Sequence, residues 1–533
     1  MPIVSVKQKE KKILCEKGDN LLKVLTDGGC FVDNPCNGKG SCGKCKVKIK
    51  NELSFQEEEI EKLTKEERDG GIHLACLVTV LQDLEVELLE EEKGHRVLTK
   101  GYVPQFDRDQ TKEKYGIAID IGTTTVAAVL VDRKTGEEIG SVSELNAQRQ
   151  FGSDVLTRIT YEYEQGEEGI LQLQKVLVES LNKMIEKLCH IGNCTIDEIM
   201  EIVVSANCTM THMLLGVDAR SLGKAPYEPV FTEAKRLKAS EIGLLVGEHT
   251  DLYCMPSVSA YIGGDVVAGA YVCGFQKETN NILLIDIGTN GELVLGTNGT
   301  LYCCSCAVGP ALEGMNIQCG MRAAEGAIEE VSITEQGMKL KVIGEKDPEG
   351  ICGSGILAII RELLKVGVIK KNGTFIKKET LEEGDYRNAF IQNDGKKREI
   401  ILNESGTLKV TQQDIRQVQL AKGAILSGIV TMLQKASVPM EALDKILIAG
   451  QFGSHLSKDC LTGTGILPEE VEDKIVYVGN SSKTGAYMAL LSEKVKEEIE
   501  QLAKKMEYME LAETENYERV LANSMIFPEG KKG

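Results

Sequence analysis

Two sets of residues in this 533-residue chain have the types and spacing to do chemistry. The first is a run of cysteines near the start. Cys36, Cys42 and Cys45 form C-x5-C-x2-C within Pro35-Cys-Asn-Gly-Lys-Gly-Ser-Cys-Gly-Lys-Cys45, and Cys76 follows downstream. Thiolates that share one metal centre must converge while the chain curls around them. Gly38, Gly40 and Gly43 permit the positive φ angles and close backbone approach this requires, and their amides can donate to the sulfurs. A zinc site usually shows two pairs of close ligands, and the second pair is missing. A bacterial four-iron run needs C-x2-C-x2-C, which is also absent. Three cysteines in a loop plus one distant cysteine fit a two-iron cluster.

The second set is a repeated turn. Asp120 ends a buried strand and is followed by Gly122, Thr123, Thr124 and Thr125; Asp286 is followed in the same way by Gly288, Thr289, Asn290 and Gly291. Backbone amides and hydroxyls of such turns bind phosphate oxygens, and the carboxylates can hold Mg²⁺, usually through water. Two turns facing each other would clamp a polyphosphate. A third element, Ile446-Leu-Ile-Ala-Gly450-Gln-Phe-Gly453, is an apolar strand running into glycines, where backbone could lie against a nucleoside. Gly309-Pro-Ala-Leu-Glu313-Gly314 and Cys352-Gly353-Ser-Gly355 are further glycine-bearing stretches suited to flanking a nucleotide.

These residues need elements to position them. Residues 1–95 carry the cysteine loop and end in a strand-like acidic run. Residues 96–115 are polar, contain Pro104, lack periodicity and read as a linker. From Tyr115 the chain reads strand, turn, strand, turn, strand, with a helix over about 170–190 and the strand EIVVSA beyond it. The strand–turn–strand pattern restarts at Asn281, and Ile119-Asp-Ile-Gly-Thr123 recurs as Ile285-Asp-Ile-Gly-Thr289, which suggests an internal duplication. A helix after Gly355, a long helix near 415–436 and the strands DKILIAG and KIVYVG complete an α/β pattern.

Composition limits the reading. At roughly 150 residues per domain, the chain holds three or four domains. Lys and Arg total 62 against 81 Asp and Glu, a net charge of -19, so there is no overall basic footprint for nucleic acid. No run reaches the ~18 apolar residues of a membrane span, and no signal-peptide core opens the chain. The 17 cysteines therefore point to a reducing cytoplasm. Those outside the loop read as structural. Cys30 lies off the motif, and Cys303, Cys304, Cys306 and Cys319 read as buried thiols, since neighbours on a strand face opposite ways. His212 reads as a core or hinge residue rather than a base. The acidic run Glu57–Glu67 reads as a solvated helix.

The first segment resembles the [2Fe–2S] ferredoxin domain, in its adrenodoxin-like x5 form. That resemblance implies a β-grasp fold with Cys36, Cys42, Cys45 and Cys76 as ligands. The two Asp turns and the late glycine loop resemble, in that order, the phosphate 1, phosphate 2 and adenosine motifs of the actin, heat-shock chaperone and sugar kinase superfamily. This implies two RNase H-like lobes closing on ATP. The whole chain resembles the ATP-dependent reductive activators of corrinoid proteins. The likeness rests on DIGTTT, Ser205-Ala-Asn207-Cys-Thr-Met-Thr-His212, Ser259-Ala-Tyr-Ile-Gly-Gly-Asp265, DIGTNGE, GPALEG, IAGQFG and the closing Phe-Pro.

That resemblance implies reduction of Co(II) corrinoid to Co(I), so that methyl transfer can resume. Its cofactors are a [2Fe–2S] cluster, ATP and Mg²⁺. Its partners are a corrinoid protein of a methyltransferase system and an external low-potential electron donor, with no nucleic acid or membrane. It makes residues 116–200 a middle, dimerising domain and 201–533 the ATPase domain. Asp120 and Asp286 become the catalytic carboxylates, and Gly122, Thr123, Thr124, Gly288, Thr289, Asn290, Gly309, Glu313, Gly450 and Gly453 the nucleotide contacts. An all-cysteine two-iron cluster sits near ~−400 mV; each 59 mV beyond that costs a factor of about ten for one electron, which gives ATP a purpose. Two other readings fit the same parts: a small-molecule kinase with an iron–sulfur domain, and an activator of another low-potential enzyme.

Overall fold

Short strands and three short helices build the N-terminal segment. The computed structural model describes the chain apart from residues 7, 9–10, 29, 31, 33–37, 39, 41–42, 44, 52, 90–102, 278–279, 289, 395–396, 451–455 and 530–533. Here β1 (Ile3–Val6), β2 (Lys11–Leu14), α1 (Leu21–Asp27), β3 (Lys46–Ile49), α2 (Glu57–Lys62), α3 (Lys65–Asp69), β4 (Ile72–Leu74) and β5 (Leu84–Leu88) form a mixed sheet of order β2-β1-β5-β3-β4. Alternating residues Val4, Val6, Val47, Ile49, Leu84 and Val86 turn inward against Leu21 and Leu25 of α1, as the two-residue strand period requires.

The acidic run departs from a single solvated helix. Thr64 caps α3 and splits the run in two, its side chain accepting from the Glu67 amide. Glu59 turns into the core at 1% exposure and accepts from the Leu74 amide at 2.8 Å.

The remainder carries two large sheets. The first contains β6 (Tyr115–Ile121), β7 (Thr125–Asp132), β8 (Glu138–Leu145), β9 (Ile199–Ala206), β10 (Lys235–Lys238) and β11 (Asp251–Cys254), in the order β10-β11-β9-β6-β7-β8. Helices α4 (Val155–Gln165), α5 (Glu167–Gly192) and α6 (Cys208–Leu214) fall between its strands in the chain, and α7 (Gly264–Val272) follows β11. The division expected near residue 200 falls inside β9, which pairs directly with β6.

The second large sheet is built from β12 (Ile282–Ile287), β13 (Gly291–Thr297) and β14 (Thr300–Cys306) with later strands. Two small sheets follow: β15 (Ala327–Thr334), β16 (Gly337–Val342) and β17 (Gly350–Ile351), then β18 (Ile391–Asp394), β19 (Lys397–Ile401) and β20 (Lys409–Thr411). Helices α8 (Gly353–Lys365) and α9 (Gln412–Ala436) pack beside them. The chain closes with β21 (Lys445–Ala449), α10 (Lys458–Gly463), β22 (Ile475–Gly479), α11 (Ser481–Leu491), α12 (Glu493–Lys505), β23 (Met506–Tyr508) and α13 (Tyr517–Ser524). The order is β22-β21-β12-β13-β14-β23.

The duplication is visible in the pairing. β6 pairs antiparallel with β7 and parallel with β9; β12 pairs antiparallel with β13 and parallel with β21. In both sheets the Asp sits one residue before the end of its strand. One apolar core links the sheets, taking in Ala118 and Val203 from the first, Leu284 and Leu447 from the second, and Val267 of α7 and Leu490 of α11.

By contacts the chain divides into two compact units. One comprises Met1–Lys93, Leu145–Ser180 and Met213–Pro226; the other comprises Gly94–Glu144, Leu181–His212 and Tyr227–Gly533. No described helix is long and apolar enough to cross a membrane.

The described end of the expected linker is tied down. Asp109 N–H donates to the Leu491 carbonyl at 2.9 Å, and the Asp109 carboxylate accepts from the Glu493 amide at 2.8 Å. Lys112 reaches Glu201 of β9 at 3.3 Å and Glu493 at 3.2 Å. Glu201, 6% exposed, also pairs with Arg133 at 3.0 Å and with the buried Lys496. Glu201→Ala takes a carboxylate from each of these three cations and leaves Lys112 and Lys496 with Glu493, so we expect a loss of about 3–5 kcal/mol, the cost of breaking a buried pair from one side, read as a lower urea midpoint. Acid erodes the same network. Burial pushes Glu493 up, but Lys496 and Lys112 outweigh it and hold its carboxyl at about 2. Its stabilisation is complete above the unfolded carboxyl value of about 4.3 and drains away as pH falls toward 2.

Candidate functional site

Two of the four candidate cysteine ligands, Cys45 of the loop and the distant Cys76, fall among the described residues, and they converge. Cys45 leads into β3, Cys76 lies in the turn after β4, and their sulfurs are 3.2 Å apart and unbonded as free thiols. The pairing of Lys46 with Leu74 brings the two ends together. Asn20, the cap of α1, donates to the Cys76 carbonyl at 2.8 Å and holds that turn against the helix. The hydrogen bond with Cys45 brings the Cys76 thiol down to about 7 against the opposing effect of burial, and the Gly40 amide assists. Gly38, Gly40 and Gly43 all have left-handed backbones, with φ of 74°, 70° and 66°. A buried, thiolate-ready pair with amides aimed at sulfur suits an iron–sulfur ligand set. Cys36 and Cys42 lie outside the described residues. Cys30 is buried in the apolar core beside α1, its amide donating to the Leu25 carbonyl.

Asp120, Asp286 and Gly450 come together where the two large sheets meet α7 and α11. Asp120 and Asp286 occupy matching places on β6 and β12. After each, a tight turn closes: Gly122 N–H donates to the Thr125 carbonyl and Gly288 N–H to the Asn290 carbonyl, both at 2.9 Å. Asn207 donates to the Thr123 hydroxyl at 3.1 Å while its own oxygen accepts from the Met210 amide, so the first turn of α6 buttresses the first phosphate-type turn. Gly450 follows β21 with φ 88°, and a Cβ there would lie 2.6 Å from Asp286 Oδ1; glycine keeps that carboxylate free. Gly309 precedes the short turn Pro310–Glu313, with Glu313 half-buried. Thr124 closes the first turn and is half-buried. Thr289 and Gly453 lie outside the described residues.

Four carboxyls perturb one another here. Burial pushes Asp286 up to about 7, and the Asp120 charge adds to it. Asp265, in the first turn of α7, is raised to about 7, mainly by burial and further by Asp286 and Asp120. Glu292, opposite Asp286 in the β12–β13 register, is pushed well up by burial and by Asp265 and Asp286. Burial also raises Asp120, against hydrogen bonds from Ser482 and Asn480. Like charges crowded in a poorly solvated place favour protons or a cation. Among the described residues no three His, Cys, Asp or Glu form a complete metal cage. Mg²⁺ uses one or two carboxylates together with substrate phosphates and water, and this donor set fits that habit.

Other residues settle as read or reveal what was missed. Cys303 packs into the core between the large sheets while Cys304 and Cys306 face the core of α8 and α9, the alternation expected of a strand. His212 is fully buried, its Nδ1 facing the Cys208 carbonyl at 2.8 Å and its Nε2 accepting from the Val230 amide at 3.2 Å. Both nitrogens are engaged as in the neutral ring, so it is a core residue and not a base. Asp265, Glu292, Asn480 and Ser482 were not singled out for the site. Asp265 stood in a quoted motif without a role. Asn480 offered only a helix-cap signal.

An iron–sulfur domain followed by paired RNase H-like sheets defines the class: an electron carrier joined to an actin-like nucleotide-binding body. Residues 4–81 match the 2Fe-2S iron-sulfur cluster binding domain, 115–278 the RACo middle region, and 280–532 the C-terminal domain of RACo, the ASKHA domain. The chain is 34% identical over 417 residues to the corrinoid activation enzyme RamQ of Eubacterium limosum, covering 76% of this chain and 70% of that one. It is 24% identical over 436 residues to the [Co(II) methylated amine-specific corrinoid protein] reductase of Methanosarcina barkeri, covering 76% and 75%. A solved structure, the reductive activator for corrinoid,iron-sulfur protein, superposes with a TM-score of 0.69 at 30% identity, covering 100% of this chain and 99% of that one. The chain belongs to the family of reductive activators of corrinoid proteins.

Proposed function

We propose that this protein restores a corrinoid protein of a methyltransferase system by one-electron reduction of Co(II) to Co(I), using ATP. The external low-potential donor loses the electron that cobalt gains. The [2Fe–2S] cluster, when bound, supplies the one-electron carrier. Cys45 and Cys76 hold it, with Cys36 and Cys42 completing the set. Asn20 and the Gly40 amide keep the Cys76 turn in place. The turns after Asp120 and Asp286 would hold the phosphates of ATP, and the carboxylates beside them would hold Mg²⁺. Gly309, Glu313, Gly450 and Gly453 would serve the nucleoside side, and Thr123, Thr124, Thr289 and Asn290 would offer polar groups to phosphate. ATP promotes reduction only by binding the complex with the corrinoid protein differently from the resting state. We assign residues 1–95 to electron delivery and the chain from residue 116 onward to dimerisation and ATP turnover, in the cytoplasm.

The observation that carries this reading is the presence, in one chain of this family, of convergent Cys45 and Cys76 and of paired Asp turns. ATP turnover provides the test. We expect hydrolysis to rise several-fold on adding a Co(II) corrinoid protein and to stay flat with sugars, acetate or glycerol. Phosphate transfer to such a metabolite, with no response to the corrinoid protein, would replace this reading with a kinase.

A further inference from the structure

The first turn of α11 meets the carboxylate of Asp120 in a way that no phosphate-turn motif encodes. Asn480 caps the helix, its Oδ1 accepting from the Lys483 amide at 2.8 Å. That contact fixes the orientation of the side-chain amide, and its Nδ2 then donates to Asp120 Oδ2 at 2.8 Å. The Ser482 hydroxyl lies 2.7 Å from Asp120 Oδ1 and 2.9 Å from the Ser205 hydroxyl on β9. An ionised carboxylate only accepts, so the Ser482 proton points to Asp120, and Ser205 donates in turn to Ser482. Both oxygens of one carboxylate are thus held by side chains 360 and 362 positions away. All three supporting residues are buried: Ser205 at 0%, Ser482 at 6% and Asn480 at 7% exposure.

From this geometry we infer that Asn480 and Ser482 are positioning residues that lock Asp120 for the cation that accompanies ATP. The inference rests on the nucleotide reading above. The lock fixes the Asp120 rotamer and occupies one acceptor direction on each oxygen. The directions left over are those a hydrated cation can use. Charge-assisted hydrogen bonds of this length are the strong kind, and their loss frees the carboxylate to rotate away.

The placement of the lock also depends on backbone packing. A Cβ added at Gly485 would come within 2.6 Å of Ala268 Cβ and 3.1 Å of Ala268 Cα on α7, so α11 sits directly on α7. The same α7 carries Asp265 in its first turn. Two helices in contact therefore set two of the four carboxyls, and β9 joins them through Ser205.

The test is calorimetric titration of the full chain with a non-hydrolysable ATP analogue, repeated across a Mg²⁺ series and without Mg²⁺. For Ser482→Ala we expect the Mg²⁺ concentration at half-effect to rise about tenfold, the scale of one hydrogen bond to a charged group. Affinity without Mg²⁺ should stay as in the wild type, while the melting temperature falls by a few degrees at most, as loss of one buried hydrogen bond implies. Ser482→Thr, which keeps the hydroxyl, should restore the Mg²⁺ response. Gly485→Ala, which moves α11 without removing a polar atom, should reproduce the Ser482→Ala shift. An unchanged Mg²⁺ series in Ser482→Ala overturns the lock. So does an equal loss with and without Mg²⁺, which would mark Ser482 as structural only. No binding of the analogue by the wild type at any Mg²⁺ concentration would instead overturn the nucleotide reading itself.

Discussion

Cys45→Ser abolishes cobalt reduction and leaves nucleotide binding intact. That is the expected result, and it follows from where Cys45 lies. Its sulfur is 3.2 Å from that of Cys76 and is buried at the mouth of β3. A serine hydroxyl is a harder, less acidic ligand than a thiolate, and iron–sulfur clusters are held by soft thiolates. The variant should lose the visible absorbance of the cluster and show Co(I) formation below one part in about a hundred of wild type, as expected when a difference of roughly 3 kcal/mol or more separates bound from unbound cluster. Affinity for ATP should change less than about twofold, since Cys45 is not among the nucleotide candidates. Absorbance spectra and the ATP titration check both halves.

The second large effect belongs to Asp286. Asp286 ends β12 beside Gly450, close enough to Asp120 to feel its charge, and in the proposed site it would help hold the cation or take a proton during ATP hydrolysis. Asp286→Asn preserves the shape beside Gly450 but removes both the charge and the basicity. We expect ATP turnover to fall about 10²–10⁴-fold, the usual worth of a positioned general base. Corrinoid-dependent Co(I) formation should fall with it if hydrolysis drives the step, while binding of ATP falls only a few-fold. A steady-state phosphate-release assay reads the first number. Wild-type turnover in this variant would remove Asp286 from the chemistry.

Much of this architecture was legible because the informative signals were local. The repeated Ile-Asp-Ile-Gly-Thr run corresponds to two strands with the same neighbours, β6 between β7 and β9, and β12 between β13 and β21. The Cys303–Cys306 pattern was readable because side chains alternate on a strand. The helix near 415–436 was legible as α9, Gln412–Ala436, since the apolar period spans many turns.

What stayed hidden depends on distance along the chain or on the third dimension. Asn480 and Ser482 look like an ordinary helix start until Asp120, 360 residues earlier, is brought beside them. Asp265 reads as a first-turn acid, and only its neighbours Asp286 and Asp120 make it part of a charged cluster. Lys112 reads as linker polarity, yet it is buried against Glu201. Glu59 reads as one more surface acid in an acidic run, yet it faces inward to the amide of Leu74. In each case a residue type typical of surfaces found a specific partner, and composition or period alone does not report partners.

The central claim is that one chain uses ATP to pass a low-potential electron to cobalt. It is tested most directly by following cobalt absorbance anaerobically, with purified protein, chemical reductant and a Co(II) corrinoid protein, in the presence and absence of Mg-ATP. The account predicts conversion of the Co(II) spectrum to that of Co(I) with Mg-ATP, and little or none without it. Equal rates of Co(I) formation in both samples would contradict it.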